Sequence, residues 1–229
     1  MKSDAAVVDR RRLIRDQLIE RAATLFAERG FSRTSLQDVA DAMGLSRPAV
    51  YHYVASKEAI LEALVTEASV SNAESLLALR EQVGLSSEER LREAIRGMAL
   101  RSAHRPIQFR LLITSVAYLP PDVAATHERA KREVLDHLTA IVADAVRSGT
   151  FRQMDERLVA FGLIGMVLWI PLWYQPGGRS SPEQVAEEFV RLALDGLKRP
   201  DSRHAEPGLS GALNLLREDL GYLERLIDG

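Results

Sequence analysis

Repeatedly along this chain a short polar side chain stands directly before a run whose apolar residues recur every three or four positions. Thr34-Ser35-Leu36-Gln37, Ser46-Arg47-Pro48, Ser86-Ser87-Glu88-Glu89, Asp155 and Ser181-Pro182-Glu183-Gln184 all have this form. A hydroxyl or carboxylate there accepts a hydrogen bond from a first-turn N–H that has no partner inside the helix. Proline is tolerated in the same turn because no donor is needed. No stretch of useful length alternates with the two-residue period of a strand. The chain therefore reads as all-α. Its 229 residues, 46% apolar and 27% charged, suit a soluble globular protein with a core of its own. With no cysteine it has neither disulfides nor thiolate ligands or nucleophiles, in keeping with a reducing cytoplasm. The start MKSDAAVVDRRR lacks the apolar centre of a signal peptide. The apolar run Leu158 to Tyr174 is 17 residues and carries Pro171. A membrane span needs about 20 residues, so a buried helix is expected there.

The helical spacing predicts a first helix over 11–29, with Ile14, Leu18, Ala22, Leu25 and Phe26 inward and Gly30 as a left-handed cap. Residues 1–10 are expected to be a flexible tail. Thr34 is expected to cap a second helix, with the Gln37 amide returning the bond, and Leu36, Val39, Ala40 and Met43 facing inward. Gly44-Leu45-Ser46 is a turn. Beyond it a helix of barely two turns has Ala49, Val50 and Tyr53 available for the inside and Arg47, Pro48, Tyr51 and His52 for the outside. So short a helix must be held by its neighbours. Lys57 opens a long helix to about Arg80, followed by helices over about 86–102, 106–116, 120–147, 156–174 and 182–197. Arg199 to Gly208 reads as a linker, and 209–227 as an appended amphipathic helix built on Leu213, Leu216, Leu220, Leu223 and Ile227. The domain reading is a tail over 1–10, a small head over 11–58, a body over 59–198 and the appendage over 199–229.

Helix, glycine turn and short polar helix make a helix-turn-helix, whose second helix enters the DNA major groove; the same turn also serves simply to pack three helices. Charge leans weakly towards DNA. Residues 1–58 hold ten Lys or Arg against eight Asp or Glu, and the rest twenty against twenty-four. No metal-ligand spacing, phosphate loop or paired acid–base spacing is present, so no metal, cofactor, catalytic residue or enzyme activity is expected.

The end of the first helix, LFAERGF, together with Thr34, VADAMGLS, Tyr51-His52-Tyr53 and Lys57, closely resembles the amino-terminal domain of the TetR (tetracycline repressor-like) family of bacterial transcription regulators. The resemblance covers about residues 12–64. It implies a cytoplasmic all-α homodimer, with a three-helix helix-turn-helix head and a larger helical domain for ligand binding and dimerisation. Such a regulator, most often a repressor, binds a palindromic double-stranded operator and is released by a small-molecule effector. The candidate DNA-binding positions are Thr34, Ser35, Ser46, Arg47, Pro48, Ala49, Tyr51, His52 and Lys57. Lys57 would clamp a phosphate with the free N–H groups of its helix, or sit solvated beside Glu58. Thr34 and Ser35 would donate to phosphate, unless Thr34 only caps. Arg47 would read guanine or touch phosphate; Tyr51 and His52 would meet phosphate or base edges; Pro48 and Ala49 offer apolar contact only. Arg10-Arg11-Arg12 would reach phosphate or minor groove, or remain a solvated tail.

The helices of 156–174 and 182–197 are the candidates for a four-helix dimer face, with Gly162 and Gly165 allowing close approach and Trp169, Trp173 and Tyr174 giving area. WYQPGGRSSPEQVAEEFVRLALDGL is similar, more loosely, to a TetR subgroup regulating fatty-acid and sterol catabolism, some members answering to acyl-CoA thioesters. That implies a lipid-like or acyl-CoA effector, with Arg101, Arg105, Phe109, Arg110, Tyr118, His137, Met166 and Trp169 as candidate pocket residues. Arginines 101, 105 and 110 would suit the phosphates of CoA. No membrane partner is expected. The alternative is a helical protein-interaction module without specific DNA binding.

Overall fold

A computed structural model of the chain describes residues 2–198 together with positions 213, 216, 217 and 220. The helices are α1 (Lys2–Arg29), α2 (Leu36–Met43), α3 (Arg47–Tyr51), α4 (Lys57–Glu81), α5 (Ser87–His104), α6 (Pro106–Thr114), α7 (Pro121–Arg147), α8 (Glu156–Trp173) and α9 (Pro182–Leu197), with one 3-10 turn at Val116–Tyr118. Among the described residues β-pairing amounts to one isolated bridge, Phe151 with Lys198. The chain is all-α, as its caps announced. Ser181 accepts from Gln184 N–H while the Gln184 side chain returns the bond. Ser86 and Glu89 do the same before α5, which holds the Glu89 carboxyl below its ordinary pKa. Asp155 accepts from Leu158 N–H at 2.9 Å.

The stretch read as a tail over 1–10 is helical from Lys2, where α1 begins. Neither glycine nor proline interrupts residues 2–29, and the Asp-Ala-Ala and triple-arginine stretches are compatible with a helix although they carry no apolar period. Gly30 ends α1 with φ +87° and an N–H bond to Phe26 O. The expected linker over 199–208 lies outside the described residues. Of the appended helix, Leu213, Leu216, Arg217 and Leu220 are helical and exposed, and the rest lies outside them too.

The chain forms two compact units. The first, Met1–Ala73 with Arg105–Arg132 and Pro171–Gln175, is called the head unit below. Its core gathers Leu18, Ala22 and Phe26 of α1, Val39 of α2, Val50 of α3, Ile60, Leu61 and Leu64 of α4 and Phe109 and Leu111 of α6. Phe26 meets Phe31 edge-on at 5.0 Å between centroids. Ser69 and His127 share a buried hydrogen bond of 2.7 Å, and burial lowers the histidine pKa, favouring the neutral ring.

The second unit, Glu74–His104 with Glu133–Ile170 and the remainder from Pro176, is called the body unit. Its α5 packs along α9, with Leu91, Ile95 and Met98 buried on one and Val185, Val190 and Leu194 on the other. Arg96 and Glu187 pair at 2.7 Å across them. Arg90 closes the end of α4 by donating to the carbonyls of Leu79, Arg80 and Gln82.

Helix α8 departs from the expectation of a buried helix. Ala160, Leu163, Val167 and Ile170 are buried, but Leu158, Phe161, Leu168, Leu172 and Trp173 lie exposed, and Trp169 is 63% exposed. Among the described residues it is the one helix long and apolar enough to cross a membrane by length and composition. Tyr174, expected to add outer contact area, is instead buried.

Candidate nucleic-acid interface

Helix α2 stops because Gly44 takes φ +64°, a left-handed conformation that costs other residues strain. Its N–H bonds Ala40 O and Asp41 O, and Leu45 N–H bonds Ala40 O at 2.9 Å. The chain leaves this turn into Ser46, whose hydroxyl accepts from Ala49 N–H at 3.3 Å and caps α3. Pro48 occupies the first turn without loss of a bond. Fully buried Val50 and nearly buried Val54 anchor this five-residue helix. Its other side is outside, as expected: Arg47, Pro48, Tyr51 and His52 are all exposed, with Ala49 and Tyr53 half-buried. Arg47 lies 5.8 Å from the Tyr51 ring centroid and donates to the Tyr51 hydroxyl at 3.4 Å. This contact between residues four apart restricts two long side chains on the exposed edge.

One expected contact needs correction, and a second meets a competing role. Thr34 neither caps α2 nor reaches the surface. It is 1% exposed, and its hydroxyl donates to Gly30 O at 3.0 Å and Leu25 O at 3.3 Å, tying the loop to the end of α1. The cap is one residue later. Ser35 accepts from Asp38 N–H at 3.2 Å, while Asp38 accepts from Ser35 N–H at 2.8 Å. The Ser35 hydroxyl and N–H, helped by Arg29, hold the Asp38 carboxyl below its ordinary pKa. At Lys57 the structure sets a second role beside the phosphate clamp. Its ammonium donates to Phe31 O and Thr34 O at 3.1 Å and to Ser32 O at 3.5 Å, and lies 4.6 Å from the Phe31 ring centroid. An ammonium has three protons, and all of them have carbonyl partners here. Lys57 therefore gathers the loop between α1 and α2 onto the start of α4.

Between that loop and α3 runs an open groove of about 430 Å³ lined by Ser32, Arg33, Ser35, Gln37, Arg47, Tyr51, Ser56, Lys57 and Glu58. Ser32, Arg33, Gln37 and Ser56 were not among the expected DNA contacts. Arg33 was legible only as one cation among ten, since neither helical period nor cap marks it. Gln37 is exposed on α2 and donates to Asp41 at 2.6 Å. The groove thus sets hydroxyls, an amide and two guanidiniums beside the outward side of α3, the inventory that meets phosphate and base edges.

The eight candidate effector residues fall in both units. In the head unit Phe109 is core. Arg105 is paired with Glu67, and Arg110 donates through Nε and Nη2 to Pro171 O at 3.3 and 3.0 Å. Tyr118 packs on Phe31 at 5.4 Å. These bonds occupy Arg105 and Arg110 and weaken the case for a three-arginine anion cluster. In the body unit His137 Nδ1 meets Arg80 Nη1 at 3.0 Å, Met166 is half-buried, and Trp169 stands on the outer stripe of α8. Arg101, whose pKa burial lowers, lines an open recess of about 230 Å³ with Ser75, Leu76, Gln82 and Glu93.

Comparison with known proteins agrees with this geometry. Residues 18–64 match the family model "Bacterial regulatory proteins, tetR family", and residues 84–197 match "Tetracyclin repressor-like, C-terminal domain". The HTH-type transcriptional repressor KstR2 of Mycolicibacterium smegmatis is 29% identical over 202 residues, covering 83% of this chain and 94% of the relative. The structure of PfmR, a TetR family transcriptional regulator from Thermus thermophilus, is 30% identical with a TM-score of 0.71, over 80% of this chain and 99% of that one. AibR, solved in complex with isovaleryl coenzyme A and operator DNA, is 30% identical with a TM-score of 0.65, over 78% and 96%. By its matched head, its matched C-terminal domain and the helix-turn-helix between Leu36 and Tyr51, the chain belongs to the TetR family of bacterial regulatory proteins.

Proposed function

We propose that this protein is a cytoplasmic homodimeric repressor that reads a palindromic operator with α3 and leaves it when a small lipid-like effector, of the acyl-CoA thioester class, occupies the body. The observation that carries the reading is α3 itself. A five-residue helix fixed by Ser46, Gly44 and Val50 turns Arg47, Pro48, Tyr51 and His52 to solvent beside a groove of donors. In the DNA complex Arg47 meets a guanine edge, Tyr51 and His52 meet thymine methyl or phosphate, and Ser35 and Ser46 approach the backbone from two helix starts. Pro48 and Ala49 lie near the groove floor. Lys57 and Thr34 act indirectly, by holding the loop that carries Arg33 and Ser35.

One head offers too few phosphate contacts for tight, specific binding, and a two-fold pair sets two recognition helices about one turn of duplex apart. The outer stripe of α8, Leu158, Phe161, Leu168, Trp169 and Leu172, supplies the apolar surface for that pair. Gly162 and Gly165 have open space where a side chain would stand, so a second backbone can approach there. The apolar length of α8 is assigned to this face rather than to lipid, because its other side is buried in its own unit. For the effector, Arg101 in its recess is the position we assign to the polar end. AibR, at 30% identity, was captured with an acyl-CoA, which motivates the class. Coupling of about 1–3 kcal/mol between effector and operator sites changes affinity some 5–150-fold.

The test is anisotropy binding to duplex from the region flanking the protein's own gene, with and without isovaleryl-CoA and longer acyl-CoA thioesters. Sequence-specific, strongly salt-dependent binding by a dimer, weakened by one of these thioesters, is expected. A monomer that binds all duplexes alike defeats the reading of α3. Binding indifferent to every acyl-CoA removes only the effector class.

A further inference from the structure

Helix α1 extends sixteen residues ahead of the matched head, which starts at residue 18. That extension is tied to the recognition helix. The guanidinium of Arg11 donates to the carbonyl of His52 at 2.9 Å, and His52 is the residue that ends α3. The last carbonyls of a helix lack partners within it and carry its partial negative charge, so a cation there caps and orients the end. Around Arg11 stand Arg10, Arg12 and Arg15, all exposed, and among the described residues none of the three is held in an ion pair. Five arginines elsewhere are held in ion pairs: Arg96 with Glu187, Arg105 with Glu67, Arg147 with Asp144, Arg157 with Asp136 and Arg191 with Glu188. Arg10, Arg12 and Arg15 flank in sequence the arginine through which α1 meets the end of α3.

We propose that this segment of α1 is a second DNA-contact surface, continuous with α3, in which Arg10, Arg12 and Arg15 bind backbone phosphates just outside the base pairs that α3 reads. Arg11 is the tie that fixes the segment against His52. The inference rests on the DNA-binding reading of α3 and adds a flanking footprint to it. Guanidiniums suit phosphate because their planar fork donates two parallel bonds to its oxygens. Contacts of this kind set register and orientation without reading sequence.

The experiment uses the full chain and a duplex selected by the wild-type protein from a random library, with the same duplex trimmed at its outer ends. The variant R10A/R12A/R15A keeps the helix, alanine being the strongest helix former, and circular dichroism verifies this. Loss of three phosphate contacts is expected to reduce the slope of log affinity against log salt by up to about 0.9 for each contact. Base preference within the selected site stays as in wild type, and trimming the flanks weakens wild type but not the variant. An unchanged slope in a folded variant overturns the proposal. So does affinity that follows the A·T content of the flanks, which would place the arginines in the minor groove instead. If the wild-type protein selects no sequence at all, the reading of α3 itself has failed, and R47A, which leaves the flank contacts intact, separates that failure from this one.

Discussion

Helix α3 commits Val50 to the core and leaves Arg47, Pro48, Tyr51 and His52 outside, whereas α8 buries Ala160, Leu163, Val167 and Ile170 and leaves Leu158, Phe161, Leu168, Trp169 and Leu172 outside. Water solvates the first surface well. Its guanidinium, hydroxyl and imidazole lose little by remaining in water, and what draws DNA to them is charge that salt screens. Water solvates the second surface poorly, at about 25 cal/mol for each Å² of apolar area left exposed. The contrast fits a regulator whose two subunits stay together while its DNA comes and goes.

The largest effect is expected at α8. Replacing Phe161 and Trp169 by glutamate puts charges on the face proposed to join two copies, and each aromatic is counted twice in a symmetric pair. A loss of about 3–6 kcal/mol of association is expected, two to four powers of ten in the dimer constant. Sedimentation should show monomers with native helix content, and operator binding should fall with the dimer. A variant that remains dimeric would reassign the stripe and break the contrast.

A smaller effect is expected at Lys57, the residue for which two readings compete. Lys57→Met keeps the stem over Phe31 and removes three donors from the carbonyls of Phe31, Ser32 and Thr34. Stability of the head should drop by about 1–3 kcal/mol, seen in urea unfolding, and operator affinity should drop with it. If stability holds and only the salt slope falls, by about one, Lys57 reaches phosphate as the family resemblance implies.

These two positions mark what could be read in advance. Helix starts were legible at Ser46, Ser86, Asp155 and Ser181 because a capping interaction is local, complete within four residues. Thr34 and Ser35 were ambiguous for that same reason, since Thr34 with Gln37 and Ser35 with Asp38 both have capping-box spacing. The choice is tertiary: Thr34 is buried against the end of α1, which leaves Ser35 for the cap. Lys57 bonds carbonyls more than twenty residues away, and no local pattern foretells that. The outward side of α3 was legible because polar and apolar residues segregate around it. That of α8 was not, because it is apolar all round and only packing decides which face remains outside.

At Arg47 the expected loss is confined to one base pair in each half-site. Arg47→Ala should remove about 1–3 kcal/mol of discrimination there, measured as relaxed preference in a selection experiment, while the dimer constant is unchanged. Uniform weakening across sequences would make Arg47 a phosphate contact and move base reading to Tyr51 and His52.

The smallest effect sharpens the contrast through pH. Leu158, Phe161, Leu168, Trp169 and Leu172 do not titrate, and Arg157, 5.9 Å from the Phe161 ring centroid, is paired with Asp136, so above the carboxylate range protons should leave association of the dimer unchanged as long as the fold holds. The edge beside α3 is different. The Ser35 hydroxyl and N–H hold Asp38 ionised below its ordinary range, so its folded pKa lies under its unfolded one. Stability from that bond is fully present above the unfolded pKa, near 3.8, and fades as pH falls through the lower folded value. Ser35→Ala removes the hydroxyl, the largest cause of the shift. The variant should therefore melt below wild type at neutral pH, and the gap should narrow as acid protonates Asp38 in both. A gap constant down to strongly acidic pH would mean that Ser35 stabilises α2 as a neutral cap alone, with the carboxylate a bystander.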